Sequence, residues 1–499
     1  MKSLFKKIES VLLSMLIVCS AAIIAPISVE AAAYGDWEYS ILTGDTAEIK
    51  GYSGSAKELS IPDEINGYKI VGIGYEAFKS ESGLKRIIIP DGVTRIEDYA
   101  FSNCSSLISI KIPDGVTSIG KNAFYSCSAL TKINIPDSVN TIGISAFKDC
   151  KSINEIKIPY GVTSISKETF YNCNSLEIIS IPDSVTSIDD SAFEFCSALT
   201  SITLPDSVTT IGRSAFCYCR KLINISIPQS VKSIGDHAFY ECNSLKDIVI
   251  PDKVPCIGDY TFYACYNLRS IKLGNSVASI GDSAFWDCSN LISISVSDSL
   301  NSIGNSAFGF CTVKELIVTD GSKRIKPIMV ICKDTLETIK IPNSVTSIDE
   351  LAFCDCVKLE EVIIPEGLSS IKYSAFENCT SLEKVVIPSS VTNIEDWVFD
   401  ECDKLTIYGY TGSIAEDYAD KNNIPFVSIG EVPGKVLKGD VDCDGKITID
   451  DATAIQKYIA NMLEFSTEQT VLADVDNNKN ITIDDVTLIQ KYIAGLAEI

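Results

Sequence analysis

Four aspartates and a threonine near residue 445 stand where oxygen ligands must stand to wrap one small cation. Asp440, Asp442, Asp444, Thr448 and Asp451 fall on positions 1, 3, 5, 9 and 12 of a twelve-residue loop, and Lys446 offers its backbone carbonyl at position 7. Hard oxygen donors at this spacing suit calcium, and four carboxylates so close repel one another without a cation between them. Gly445 at position 6 permits the sharp turn such a loop makes. The pattern returns 34 residues later at Asp474, Asp476, Asn478, Asn480, Thr482 and Asp485, with Asn480 supplying the carbonyl. There Lys479 takes the glycine place, where a positive φ costs about 1 kcal/mol, and Asn478 brings a neutral oxygen. The first loop therefore reads as complete and the second as weaker.

Other chemistry finds few residues to carry it. A nucleophilic Cys or Ser usually recruits a histidine, and His237 is the only one in the chain. It falls where other repeats carry Asn122, Ser283 or Ser306, so it reads as a variable, solvent-facing position. Adjacent acids such as Asp189 and Asp190 read as a solvated face, not as the two carboxylates of a glycosidase cleft. No Gly-rich phosphate loop is present. With 66 acidic against 42 basic side chains the formal charge is -24, which repels nucleic acid and anionic membrane alike.

What positions the two loops is legible in outline. Each runs into an apolar helical stretch, through Ile455 and Ile459 in the first copy and Ile489 and Ile493 in the second. No full helix is expected before either, so these are half-hands of the EF-hand type. Residues 447–461 and 481–495 are identical at 12 of 15 positions, including the polar pairs Gln456-Lys457 and Gln490-Lys491. Calcium ligation does not demand that identity, whereas two equivalent faces would. A segment rich in Gly, Val and Pro at 429–438 reads as a linker ahead of the module.

Before the linker the chain is periodic. Cys104, Cys127, Cys150 and their successors recur every 23 residues to Cys311, and Cys356, Cys379 and Cys402 resume the interval. Phenylalanine keeps the same beat from Phe78 to Phe308 and again from Phe353. The unit at 107–129 places Leu107, Ile110 and Ile112 on a short strand, Pro113 at its end, and Val116, Ile119, Ala123 and Phe124 on a second apolar edge. Such a unit cannot bury its apolar face alone, so about fifteen must stack as a solenoid. A degenerate unit lies between Phe308 and Phe353, where Lys326-Pro327 should kink the stack and Cys332 fill the cysteine row. Repeat spacing puts one cysteine in each coil, which suits small buried spacers better than zinc sites or a disulfide framework. Cys217 and Cys354 directly follow the core Phe and are expected to face solvent as reactive thiols. Tyr240, Tyr263 and Trp286, in three successive coils, form a stripe that either binds sugar rings or protein or simply shields the coil junctions.

The 23-residue motif resembles the BspA-type leucine-rich repeats of bacterial surface proteins, and the tandem of loop then helix resembles the type I dockerins of cellulosomal proteins. The first resemblance implies an α/β-type, β-rich repeat solenoid at 78–407 with caps at 34–77 and 408–428. The second implies a small all-α calcium module at 439–499 that docks a cohesin domain on a scaffoldin or cell-surface protein. Its contact positions fall on Ile449, Asp450, Gln456, Lys457 and Asn461, with copies Ile483, Asp484, Gln490, Lys491 and Gly495. Ile449 and Ile483 depart from the Ser or Thr of some dockerins, which leaves the cohesin type open. Lys2, Lys6 and Lys7, an apolar run from Val11 to Ile24 and Ala31-Ala32-Ala33 have the layout of a cleaved secretory signal over 1–33. The expected function is non-catalytic binding or adhesion in an extracellular complex. A polysaccharide- or protein-cleaving enzyme with an unrecognised site in the repeats, and a free-standing adhesin, are the alternatives.

Overall fold

The structure, a computed structural model, describes residues 32–432 and 437–497. The expected leader lies outside the described residues except for Ala32 and Ala33, which pair antiparallel with Tyr39 and Glu38. Two compact units divide the chain, Met1–Val162 and Thr163–Ile499.

In the first unit an antiparallel pair, Trp37–Ile41 with Thr46–Tyr52, leads into parallel pairing of Thr46–Tyr52 with Tyr68–Ile73. Trp37 packs edge-on against Phe78 at 6.3 Å, so an aromatic ring covers the first phenylalanine of the stack. Coils then repeat at constant register: Ser109 pairs with Arg86 and Lys132 with Ser109, each 23 residues apart. In each coil the middle strand residue turns inward, as Ile87, Ile110 and Ile133 do, and proline ends the strand because it has no N–H to give the ladder. A second, two-residue ladder joins Arg95, Ser118 and Thr141. The rest of each coil is turn, and no α-helix occurs in this unit among the described residues.

The second unit repeats the plan. Phe239 stacks on Phe262 at 5.3 Å and 2°, Phe262 on Phe285 at 5.3 Å, and neighbouring coils do likewise. The cysteine row has a specific office: where the preceding coil carries the core Phe, the thiol donates to that Phe's carbonyl, as from Cys242 to Phe216 and from Cys265 to Phe239, both at 3.2 Å. That carbonyl already accepts from the backbone N–H of its own coil's cysteine, so the thiol fills its second lone pair. No disulfide joins cysteines among the described residues, so the row is a hydrogen-bond ladder and no disulfide framework.

In the degenerate coil the strand ladder continues, Ser293–Val296 to Glu315–Val318 to Thr338–Lys340. The second ladder stops at Ser302–Ile303 and restarts at Arg324–Ile325. Two 3-10 turns, Pro327–Met329 and Lys333–Thr335, follow, and Cys332 caps the second in the left-handed region at φ 56°. The unit's repeats end on helix α1, Ile414–Asn422, whose Tyr418 meets Phe399 edge-on at 5.9 Å, and on strand Phe426–Glu431 beside Thr406–Thr411.

Every regular coil spends two residues in the left-handed region, one before the core Ala, Thr or Val and one before the ladder Cys, and none of them is glycine. Asn122 suits that backbone, whereas Leu351 at φ 57° does not. Leu351→Asn is expected to raise stability by about 1 kcal/mol in denaturant unfolding, and a loss of stability would contradict the strain.

Candidate metal centre and docking face

Three helices build the C-terminal module: α2 (Ile449–Ile459), α3 (Thr467–Ala473) and α4 (Ile483–Ile493). Val441, Ala452, Ile455, Ala473, Val475, Val486 and Ile489 make its core, with Tyr458 stacked on Phe465 at 4.4 Å. Helix α3, seven residues long, leads into the second loop, where no full helix was expected. Its signal was a capping box, Ser466 accepting from Gln469 N–H while Gln469 returns to Ser466, a pattern readable in the sequence. Gln469 also donates through Nε2 to the Val441 carbonyl at 3.0 Å, tying α3 to the first loop.

The first loop folds around Asp440, whose carboxylate is 1% exposed and accepts from Asp444 N and Gly445 N at 3.1 and 2.9 Å. Carboxylate oxygens of Asp440, Asp442 and Asp444 lie within 4.8 Å of one another. At the loop's far end the fully buried Asp451 accepts from Val441 N, Asp442 N and Thr448 N at 2.7, 3.2 and 2.8 Å. Thr448 is at the same time the N-cap of α2, accepting from Asp450 N at 3.1 Å. Gly445 sits at φ 86°, the conformation its place requires. Burial first, then the carboxylates of Asp451, Asp444 and Asp440, raises the Asp442 carboxyl above its ordinary value.

In the second loop Asp474, Asp476 and Asp485 bring carboxylate oxygens within 4.8 Å of one another. Asp485 repeats Asp451, accepting from Asp476 N and Thr482 N. Lys479 does adopt the left-handed backbone, at φ 71°, and donates from its N–H to Asp474 Oδ2 at 3.0 Å. Asn480 N donates to Asn478 Oδ1 at 2.8 Å. Asp474 Oδ1 is buried and has no hydrogen-bond partner among the described residues. A buried, unpaired carboxylate oxygen beside two further carboxylates is a donor set that fits a hard divalent cation.

On the outer surface of the module the two copies match. Ile449 is 56% exposed and Ile483 58%, and Asp450, Gln456, Lys457 and Asn461 are exposed, as are Asp484, Gln490, Lys491 and Gly495. Helices α2 and α4 pack on each other through Ala452, Ile455, Val486 and Ile489, so the two sets stand on equivalent helices of one core.

The aromatic stripe in the repeats is half-buried. Tyr240 and Tyr263 stack at 4.8 Å and 2°, so each ring covers a face of the other and leaves edges and hydroxyls to solvent. Trp286 meets Phe310 at 85°. His237 is not the free surface residue expected: its ring lies on Tyr260 at 5.0 Å, and burial, then Arg213, lowers its pKa. Cys217 is likewise a correction, being 4% exposed. Tyr218 and Tyr240, in contact at 5.4 Å, close over the small thiol, and burial, then Glu194 and Glu241, pushes its pKa up. Cys354 is partly exposed and raised by burial and Asp355. In the native protein iodoacetamide should label the exposed Cys256 and Cys443 and spare Cys217. Labelling of Cys217 at the rate of Cys443 in a peptide mass map would contradict this packing.

The BspA type leucine rich repeat region model matches residues 71–416 in overlapping spans, and the dockerin type I domain model matches 438–494. A leucine-rich repeat protein from Bacteroides ovatus ATCC 8483 is similar at 31% identity over 80% of this chain and 99% of that one, with a TM-score of 0.50. A leucine rich cell surface protein from Faecalibacterium prausnitzii A2-165 is similar at 30% identity over 79% and 97%, with a TM-score of 0.43. No curated protein matches the chain. By its repeats the chain belongs to the BspA-type leucine-rich-repeat proteins, and it carries a type I dockerin domain behind them.

Proposed function

We propose that this chain is an exported, non-catalytic binding protein of a cellulosome-type complex. Calcium orders the C-terminal module through Asp440, Asp442, Asp444 and Asp451 and, more weakly, through Asp474, Asp476 and Asp485. The module then docks a cohesin domain on a scaffoldin or cell-surface protein, and the repeats hold a protein or polysaccharide ligand outside the cell. Dockerin domains of type I bind calcium and cohesins in general, and no helix among the described residues is long and apolar enough to cross a membrane.

The observation that carries the reading is the doubled face: Ile449, Asp450, Gln456 and Lys457 recur as Ile483, Asp484, Gln490 and Lys491 with the same exposure. A structural cap has no need of two identical polar surfaces. The module is therefore read as engaging its partner in either of two orientations. Titrating the full chain against a panel of cohesins, with calcium and with chelator, tests this, and a chain ending at residue 432 serves as control. Calcium-dependent binding that survives Gln456→Ala/Lys457→Ala, and is lost when Gln490 and Lys491 are also replaced, supports it. Loss of binding from the first pair alone removes the two-orientation reading, and indifference to calcium removes the docking reading.

A further inference from the structure

Three successive coils lack the proline that ends the strand elsewhere. Gly274, Ser297 and Thr319 stand where other coils carry Pro113, Pro205 or Pro251. Without the ring the backbone N–H returns, the strands at Ser293–Val296 and Glu315–Val318 run four residues instead of three, and Thr319 N donates to Val296 O at 2.9 Å. Beside the last of these positions, Thr319, a cavity of about 450 Å³ opens between the coils.

Its wall is polar and organised. Thr319 Oγ1 donates to Asn275 Oδ1 at 2.9 Å, and Ser297 Oγ, outside the lining, donates to the carbonyl of the lining Asn275 at 3.3 Å. Ser322, 2% exposed where other coils bury a Val or Leu, lies 3.5 Å from Thr319 Oγ1. Ser295 lines the cavity at 9% exposure, although Lys272 and Lys340 on the same row are exposed, and its hydroxyl makes no hydrogen bond among the described residues. The floor is aliphatic: Ile341 is partly open there, whereas its equivalents Ile250 and Ile364 are buried. The rim balances Lys272 and Lys340 against Asp252 and Asp320, and Glu315 fixes the Lys340 ammonium at 2.6 Å.

We propose that this cavity binds a neutral saccharide segment, an inference that rests on the reading of the repeats as a ligand-holding surface. A pyranose carries hydroxyls that both donate and accept, around a ring with an aliphatic C–H face. Interleaved ammonium, amide, hydroxyl and carboxylate groups over Ile317, Ile341 and Pro342 answer both features. The lining charge sums to zero in a chain of -24, so nothing in the cavity draws a uronate, a sulfate or a cation. An extended peptide would need a free strand edge, and the strands at the middle of the cavity, Ser293–Val296 and Glu315–Val318, are paired on both sides.

The full chain should be screened against cello-, xylo-, manno- and maltohexaose, and the strongest binder titrated by calorimetry. Ser295→Lys places in the row the residue its neighbour Lys272 already carries, so the coil tolerates it while the cavity fills. Binding that falls about tenfold or more in Ser295→Lys and in Asn275→Ala, yet is unchanged in Tyr240→Ala/Tyr263→Ala, is the expected result. Failure of all four sugars to bind, wild-type affinity in Ser295→Lys, or binding confined to acidic glycans or peptides would overturn it. Parallel cohesin titration keeps the two readings apart. Docking without saccharide binding sinks this inference alone, and saccharide binding without docking sinks the anchoring reading alone.

Discussion

Replacing Asp451 with alanine is expected to unfold the C-terminal module and abolish cohesin docking while the repeat coils stay folded. The side chain is fully buried and holds three backbone N–H groups, those of Val441, Asp442 and Thr448. Truncation leaves buried donors unpaired and removes the acidic half of the α2 capping box, which together cost about 3 to 5 kcal/mol. A module of some sixty residues has little more stability than that to lose. Chelation should act in the same direction, since a cation at a hundred times its dissociation constant adds about 2.7 kcal/mol to the folded state. The two loops should not respond equally. Both oxygens of Asp440 hold loop N–H groups, whereas one oxygen of Asp474 holds none, and Lys479 stores strain where Gly445 has none. Asp440→Ala should therefore cost the module more than Asp474→Ala. Hydrogen exchange of α2 and α4, read beside that of the coils, measures this; equal protection of both helices in chelator and in calcium would refute it.

The interval of 23 residues made the coils, the phenylalanine stack and the inward strand positions legible, because each depends only on place within a repeat. The same holds for the loop carboxylates, whose spacing is dictated by the cation they would wrap. What escaped depends on neighbours. Cys217 occupies a place that faces outward in principle, but Tyr240 one coil on and Tyr218 beside it close over a side chain too small to reach past them. His237 lies flat because the next coil supplies Tyr260. Helix α3 is seven residues long, too short for an apolar period to declare it, and only Ser466 and Gln469 announced it. The cavity beside Ser295 was written in the sequence only as an absence, the proline missing at Thr319, and an absence becomes a site only when the coils are stacked.

Mild alkali should unfold the coils of the second unit between about pH 9 and pH 10. Burial pushes the thiols of Cys265 and Cys356 up to about 12, and burial with neighbouring thiols carries Cys196, Cys242 and Cys288 well above their ordinary value. In the unfolded chain the same groups ionise near 8.5. The folded state thus keeps its thiols protonated while the unfolded state gains by losing its protons. The stability they contribute is complete below about pH 8.5 and is lost as pH rises toward the folded values. Each thiol still protonated at pH 10 costs the fold about 2 kcal/mol relative to neutral pH. Cys265 and Cys356 together take about 4 kcal/mol from the margin of about 5–15 kcal/mol by which a domain is stable, and the other raised thiols act in the same direction. The ladder fails with them, because a thiolate cannot donate to the Phe carbonyl it faces. Far-ultraviolet circular dichroism against pH should show the transition. Cys242→Ala and Cys265→Ala should shift it upward, each lessening the slope by about 1.4 kcal/mol per pH unit even as it lowers stability at pH 7. A transition that stays in place in the double variant would mean that groups other than the buried thiols govern it.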